Sequence, residues 1–209
     1  MSSVRDAKPE FWTQTTLKSR GWTLSLIRRF LDPPDATAPN PHYRSAGAPM
    51  KLYDAKRVQA QEATQAGAEA LAQARQRSLR AQDRAARQRE TILATVRGWS
   101  IAVPRMKMRT LRSAAVQHYN DLWMFRGRDD KWATVDDDPV FLRRIEVNYL
   151  RHVCTNYEDR LVELYGTIGA ADARPLLKRR ILSAIAATYP DLADECHRQA
   201  QRLTEDFSL

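Results

Sequence analysis

Cysteine is scarce: Cys154 and Cys196 are the only two in 209 residues, and they lie far apart. Two thiols cannot build a four-cysteine zinc site or a disulfide framework. Glycine is scarce as well, with seven residues and no Walker-type loop among them, so phosphate-cradling glycine loops are not expected. No apolar run approaches the ~18–20 residues of a membrane span. The first twenty residues are polar and mixed in charge, which predicts no secretory signal. Histidine occurs four times, as His42, His118, His152 and His197. His152 and Cys154 are two apart, about 200° on a helix, and His197 directly follows Cys196. Neither gives the i, i+4 spacing of helical metal ligands. The carboxylate run Asp136-Asp137-Asp138 precedes a helix, where capping and solvation account for it. The expectation is a protein without catalytic residues, metal or cofactor, in the reducing cytoplasm (associated with the nucleoid if bacterial).

What is present is hydrophobic residue for a real core, 43% of the chain, and an excess of positive charge, net +9. The charge is uneven. Residues 1–60 carry net +5, residues 61–112 net +7, and residues 113–209 net −3. This distribution predicts an anion-binding first half joined to a packing or partner module. Arginine outnumbers lysine by 27 to 7, and arginine forks bidentately onto phosphate where lysine does not.

Residues 11–31 predict two short helices around a turn at Gly21, with Thr23 capping the second. Leu24, Ile27 and Leu31 share one face of it, and Arg28 and Arg29 point elsewhere. Helix, glycine turn, helix is the outline of a DNA-reading unit, although many helical hairpins share it. Residues 32–50 are rich in proline and turn residues, which forbid a helix. Met50 to Tyr53 alternates and reads as a strand, with His42-Tyr43-Arg44 as its expected hairpin partner. Tyr43 and Arg44 are then exposed for a backbone or a base, while Leu52 and Tyr53 pin the loop to the core.

Asp54 caps a long helix predicted to reach Val96 or Arg97, with a break near 66–68 at Gly67. From Ala68 to Glu90 only Leu71 and Leu79 could anchor it, so much of its length faces solvent. Arg77, Arg80, Arg84 and Arg87 form one stripe, flanked by Arg75 and Arg89. Only Glu69, Asp83 and Glu90 are close in sequence to neutralise them. Further on, a helix over 105–125 places Leu111, Ala115, His118, Leu122 and Phe125 on one face. Asp138 and Pro139 start a helix expected to run to about Tyr165. Asp172 is expected to cap the next one, to about Tyr189, and Pro190 opens the last. Phe141, Leu142, Ile145, Tyr149, Val153, Leu161 and Leu164 recur at helical period, as do Leu176, Leu177, Ile181 and Ile185.

The stretch Asp32-Pro33-Pro34, Asn40-Pro41-His42-Tyr43, Gly47 and Met50-Lys51-Leu52-Tyr53 resembles the C-terminal part of the DNA-binding domain of the xeroderma pigmentosum group A family. That family has an acidic residue and two prolines, then Asn-Pro-His-His, then a glycine before Met-Lys-Leu-Tyr, and ends in a long basic helix. Here Glu69-Ala70-Leu71 and the arginine stripe follow, so the resemblance spans about residues 31–97. It implies a winged-helix-like DNA-binding fold with a basic groove that grips duplex near a junction or damage. Lys51 and the basic residues around the hairpin and helix would then be the contacts. The family's four-cysteine zinc subdomain has no counterpart, and Ala66 stands where the family has a tryptophan placed to stack at a duplex end. Phosphate contacts need only the basic residues. A similar strand, tyrosine, acid, helix pattern occurs in winged helices of small bacterial regulators and phage packaging proteins.

These readings give a mainly α chain: a winged-helix-like domain with a short hairpin over 1–66, a long basic helix over 67–100, and a helical bundle over 101–209. The expected nucleic-acid contacts are Arg28, Arg29, His42, Tyr43, Arg44, Lys51, Lys56, Arg77, Arg80, Arg84 and Arg87. The expected partner is DNA, held without catalysis in a repair-related or regulatory role, with 101–209 left for self-association or a protein partner and no membrane. The contrasting expectation is a helical adaptor that binds protein and whose charge only tunes solubility.

Overall fold

The computed structural model describes residues 10–39, 48–127 and 132–205. The chain is mainly helical with one small antiparallel sheet. It divides into two compact units, Met1–Arg84 and Ala85–Leu209.

The first unit runs β1 (Phe11–Thr13), α1 (Gln14–Ser19), α2 (Leu24–Phe30), β2 (Ala36–Ala38), β3 (Met50–Asp54), α3 (Ala55–Ala63) and the start of α4 (Gln65–Gly98). Both helices after β1 begin on threonine caps. Thr13 Oγ1 accepts from Thr16 N and Thr23 Oγ1 from Leu26 N, each at 3.2 Å. Such caps satisfy backbone donors that have no partner inside the helix. β3 is the central strand of the order β1-β3-β2, with Trp12 opposite Tyr53 and Thr37 opposite Lys51. Around it close Leu17, Trp22, Ile27, Leu31, Tyr53 and Val58, all nearly solvent-free.

Several expectations change here. In α2 the buried face is Leu26, Ile27 and Leu31, and Leu24 is 46% exposed. The buried arc is centred on Ile27, and Leu24 falls to its side. The described strand on the edge of β3 away from β1 is Ala36–Ala38, which pairs where the chain between Pro34 and Pro39 keeps its backbone N–H groups. His42, Tyr43 and Arg44, expected in that place, lie outside the described residues. Tyr53 is buried as expected, whereas Leu52 is only half-buried. The break between α3 and α4 falls at Thr64, whose ψ is 148°. Thr64 Oγ1 receives the N–H of Gly67 at 3.0 Å. A Cβ on Gly67 would come within 2.0 Å of the Gln61 carbonyl oxygen, so glycine here permits the two helices to meet.

The second unit holds the end of α4, then α5 (Met108–Phe125), α6 (Pro139–Tyr149), a π-helical turn (Leu150–Cys154), α7 (Tyr157–Glu163), α8 (Ala170–Thr188), a 3₁₀ turn (Pro190–Leu192) and α9 (Ala193–Glu205). Its core includes Val96, Leu111, Leu150, Leu164, Leu177, Ile181 and Ile185, with Ile92 and Leu93 packed against it. The last turns of α4 are thus part of the C-terminal core. Asp138 caps α6 as expected, accepting from Phe141 N at 2.9 Å. The helix expected to run on to Tyr165 is interrupted at Thr155 and Asn156. The wider π turn directs Arg151 inward, where its Nη1 donates to Gln199 Oε1 at 3.0 Å and its Nη2 to Asn148 Oδ1 at 3.3 Å. Thr155 Oγ1 then donates back to the Arg151 carbonyl at 2.6 Å. Val153, expected inside, is half exposed. Gly169, not Asp172, caps α8, with φ 92°. A Cβ there would lie 2.9 Å from Arg89 Cα, so the cap is also where the chain crosses α4. Asp172 instead takes Arg89 in a forked pair at 2.6 and 2.9 Å.

Candidate nucleic-acid interface

Arg28 on α2 and Lys51 on β3 are 23 positions apart in sequence, and both are exposed. They line one open groove of about 610 Å³ in the first unit. Thr13, Gln14 and Thr15 form another wall, and Leu24, Ile27 and Tyr53 supply apolar surface. Asp32 is the only acid among the described residues that line it. The groove therefore offers two cations, two hydroxyls and an amide next to apolar atoms. That set suits a phosphodiester with its sugar or base edge. Tyr53, 1% exposed, fixes the strand that carries Lys51.

Other charged side chains of the first unit pair with one another or with the backbone. Arg20 donates to Glu62 through Nε at 3.0 Å and Nη2 at 2.6 Å, and Trp22 Nε1 adds a bond to the same carboxylate at 2.9 Å. The Arg20 hydrogen bonds hold the Glu62 carboxyl below its ordinary pKa. Arg20 also lies over the Trp12 ring, 4.3 Å from its centre. Arg57 donates to the carbonyls of Leu31 and Pro33 at 2.6 and 3.0 Å and pairs with Asp35 at 3.2 Å. Its neighbour Lys56 stays exposed. Adjacent basic residues thus separate into one that ties the loop after α2 and one that faces water. Arg29 is exposed and stacks on Phe30, 4.9 Å from the ring centre.

Arg77, Arg80, Arg84 and Arg87 are all exposed on α4. Arg77, Arg80 and Arg84 belong to the first unit and Arg87 to the second. Leu71 and Ala74 anchor the helix in the first core, but Leu79 is 52% exposed and anchors nothing. The nearby acids are engaged elsewhere or unpaired: Glu90 binds Arg97 at 2.8 Å and Glu69 receives Gln65 at 3.0 Å. Among the described residues no carboxylate pairs with any of these four arginines, and Arg77 only reaches the carbonyl of Gln73. Of the two flanking arginines, Arg89 is spent on Asp172.

The groove residues Thr13, Gln14, Thr15 and Asp32 were not among the contacts expected from sequence. Their only local signal is the strand-to-cap step at Thr13, which is too short to read by periodicity. His42, Tyr43 and Arg44 fall outside the described residues; the described lining comes from the end of β1, α1, α2 with Asp32 after it, and β3 with Ala48 and Pro49 before it.

Several titratable side chains of the second unit are tied to neighbours within it. His152 Nε2 receives Arg151 Nε and Nη2, at 3.0 and 2.6 Å, and its Nδ1 faces Glu158. Two donors on Nε2 leave the proton on Nδ1, and burial holds the ring below its ordinary pKa. Burial pushes the Cys196 thiol up to about 12, which favours the protonated thiol at neutral pH. Asp137 accepts from Thr134, and Asp138 is the α6 cap. Among the described residues no three His, Cys, Asp or Glu side chains gather to hold a metal ion, and no helix is long and apolar enough to cross a membrane. No family model, curated protein or solved structure matches this chain.

Proposed function

We propose that this chain is a non-catalytic DNA-binding protein whose first unit grips the duplex backbone. The observation that carries the reading is the convergence of Arg28 and Lys51 on one groove whose described lining holds a single acid. The arginines on α4 support it, because a row of exposed, unpaired cations is relieved by a polyanion lying along it. The order strand, helix, turn, helix, strand, strand, helix fits a winged-helix use of α2 and β3. The resemblance to the xeroderma pigmentosum group A family points the same way over residues 31–97. Binding through phosphate makes the affinity general in sequence and steep in salt.

The test is a titration of the full chain against mixed-sequence duplex, single-stranded and forked DNA at two salt concentrations. Duplex binding that weakens steeply with salt is expected. A marked preference for forked DNA assigns the repair-like role, and a preference for one fixed operator assigns the regulatory one. Absence of binding to all three DNAs at low salt overturns the proposal in favour of the adaptor.

A further inference from the structure

Of the face expected to hold Leu111, Ala115, His118, Leu122 and Phe125, Leu111 and Ala115 are buried, whereas Leu122 is 43% and Phe125 91% exposed. With Ala115, Tyr119 and Arg126, the residues His118, Leu122 and Phe125 fall within an arc of about 120° on α5, at 100° per residue. α5 packs on α6, as the edge contact of Tyr119 with Phe141 shows. Between the two runs an open groove of about 430 Å³, whose other wall includes Ile145, Tyr149 and Val153. Ala115 to Arg126 spans about 16 Å of helix. Two neighbouring helices that each offer a stripe at spacings of three and four leave a seam that further helices fill.

We propose that this seam is covered by the same seam of a second copy, two α5–α6 hairpins joining face to face about a two-fold axis. The charges at its ends favour a second copy over another occupant. Arg126 lies at one end of the groove. His152, in the π turn after α6, lines it too and carries Glu158 as its partner; Arg112 on Glu146 and Tyr119 on Phe141 make α5 and α6 antiparallel, which sets His152 at the opposite end from Arg126. A two-fold axis across the seam brings the Arg126 end of each copy to the Glu158 end of the other, which is the self-complementarity that an isologous interface requires. Nucleic acid is a poor occupant, since residues 113–209 carry net −3. The interface would hold aromatic, aliphatic and arginine side chains, the types enriched at such surfaces. This inference is independent of DNA binding.

Sedimentation equilibrium of the full chain tests it without DNA. A dimer that dissociates on dilution is expected. Leu122→Glu and Arg126→Glu are both exposed substitutions that leave the monomer core intact. The first should give a monomer with an unchanged circular dichroism spectrum, and the second should weaken the dimer by ~10-fold or more. A chain that stays monomeric at ~100 times the usual micromolar range overturns the proposal and leaves the seam to another protein. A dimer that neither substitution weakens overturns it as well, because its contact then lies elsewhere.

Discussion

Replacing Arg80 and Arg84 together by glutamine removes two charges from the middle of the α4 row and nothing else that the fold uses. Both residues are exposed, and neither pairs with a carboxylate among the described residues. Glutamine matches arginine closely in helix propensity, so the thermal midpoint should not move. From Arg77 to Arg87 the helix rises about 15 Å, enough for two to four contacts with phosphates at ~7 Å spacing along a strand. Four contacts along the row contribute about −3.6 to the slope of log affinity against log salt, at about −0.9 per phosphate, beside whatever the groove cations add. Between 50 and 200 mM salt the row's share lowers affinity ~150-fold, and in the double variant, at about −1.8, only ~12-fold. Fluorescence anisotropy with one labelled duplex at four salt concentrations reads both slopes. Affinity should fall for every sequence alike, because phosphate carries no sequence information. An unchanged slope with an intact fold would falsify the role of the row and return it to a solvated face.

Gly67→Ala should destabilise the chain by ~1–3 kcal/mol in a denaturant titration, the cost of overpacking. An ordinary helical site would instead gain about 1 kcal/mol from the same change, so a stabilised variant refutes the close approach to Gln61. A fragment starting at residue 85 should melt cooperatively. One starting at 101 lacks Ile92, Leu93, Val96 and the Arg89–Asp172 pair and should melt far lower or not fold; equal midpoints would show that the end of α4 contributes nothing. The folded-state pKa of His152 is depressed, so its neutral form contributes stability that is present above the unfolded value of about 6.5 and lost as pH falls below it. Thermal midpoints between pH 7.5 and 5.5 should therefore drop less in His152→Gln than in the parent chain, and an identical drop would show that this ring does not sense the acid limb.

Caps and long periodic runs were legible in the sequence, and places where two distant segments meet were not. Thr23, Asp54 and Asp138 cap the helices expected of them, since a cap is a local bond between a side chain and the next turn. The three-residue strands β1 and β2 left no pattern, and only pairing with β3 makes them strands. Asp172 looked like a cap, but Arg89, 83 positions away, claims its carboxylate. The break after Cys154 has no proline or glycine to announce it; it goes with two bonds, Arg151 to Gln199, 48 positions away, and Thr155 Oγ1 back to the Arg151 carbonyl. In the candidate site, Arg28 and Lys51 were each visible as exposed cations. Their convergence was not, because it depends on how α2 stands over β3.

Hydrogen–deuterium exchange of the full chain with and without duplex DNA tests the central claim most directly, since it locates the contact without altering a residue. The account predicts slowed exchange in α2, in β3 with the first turn of α3, and along residues 75–88 of α4, with α6 through α9 unchanged. Protection confined to α6 through α9, or no protection anywhere under conditions that saturate binding, would contradict it.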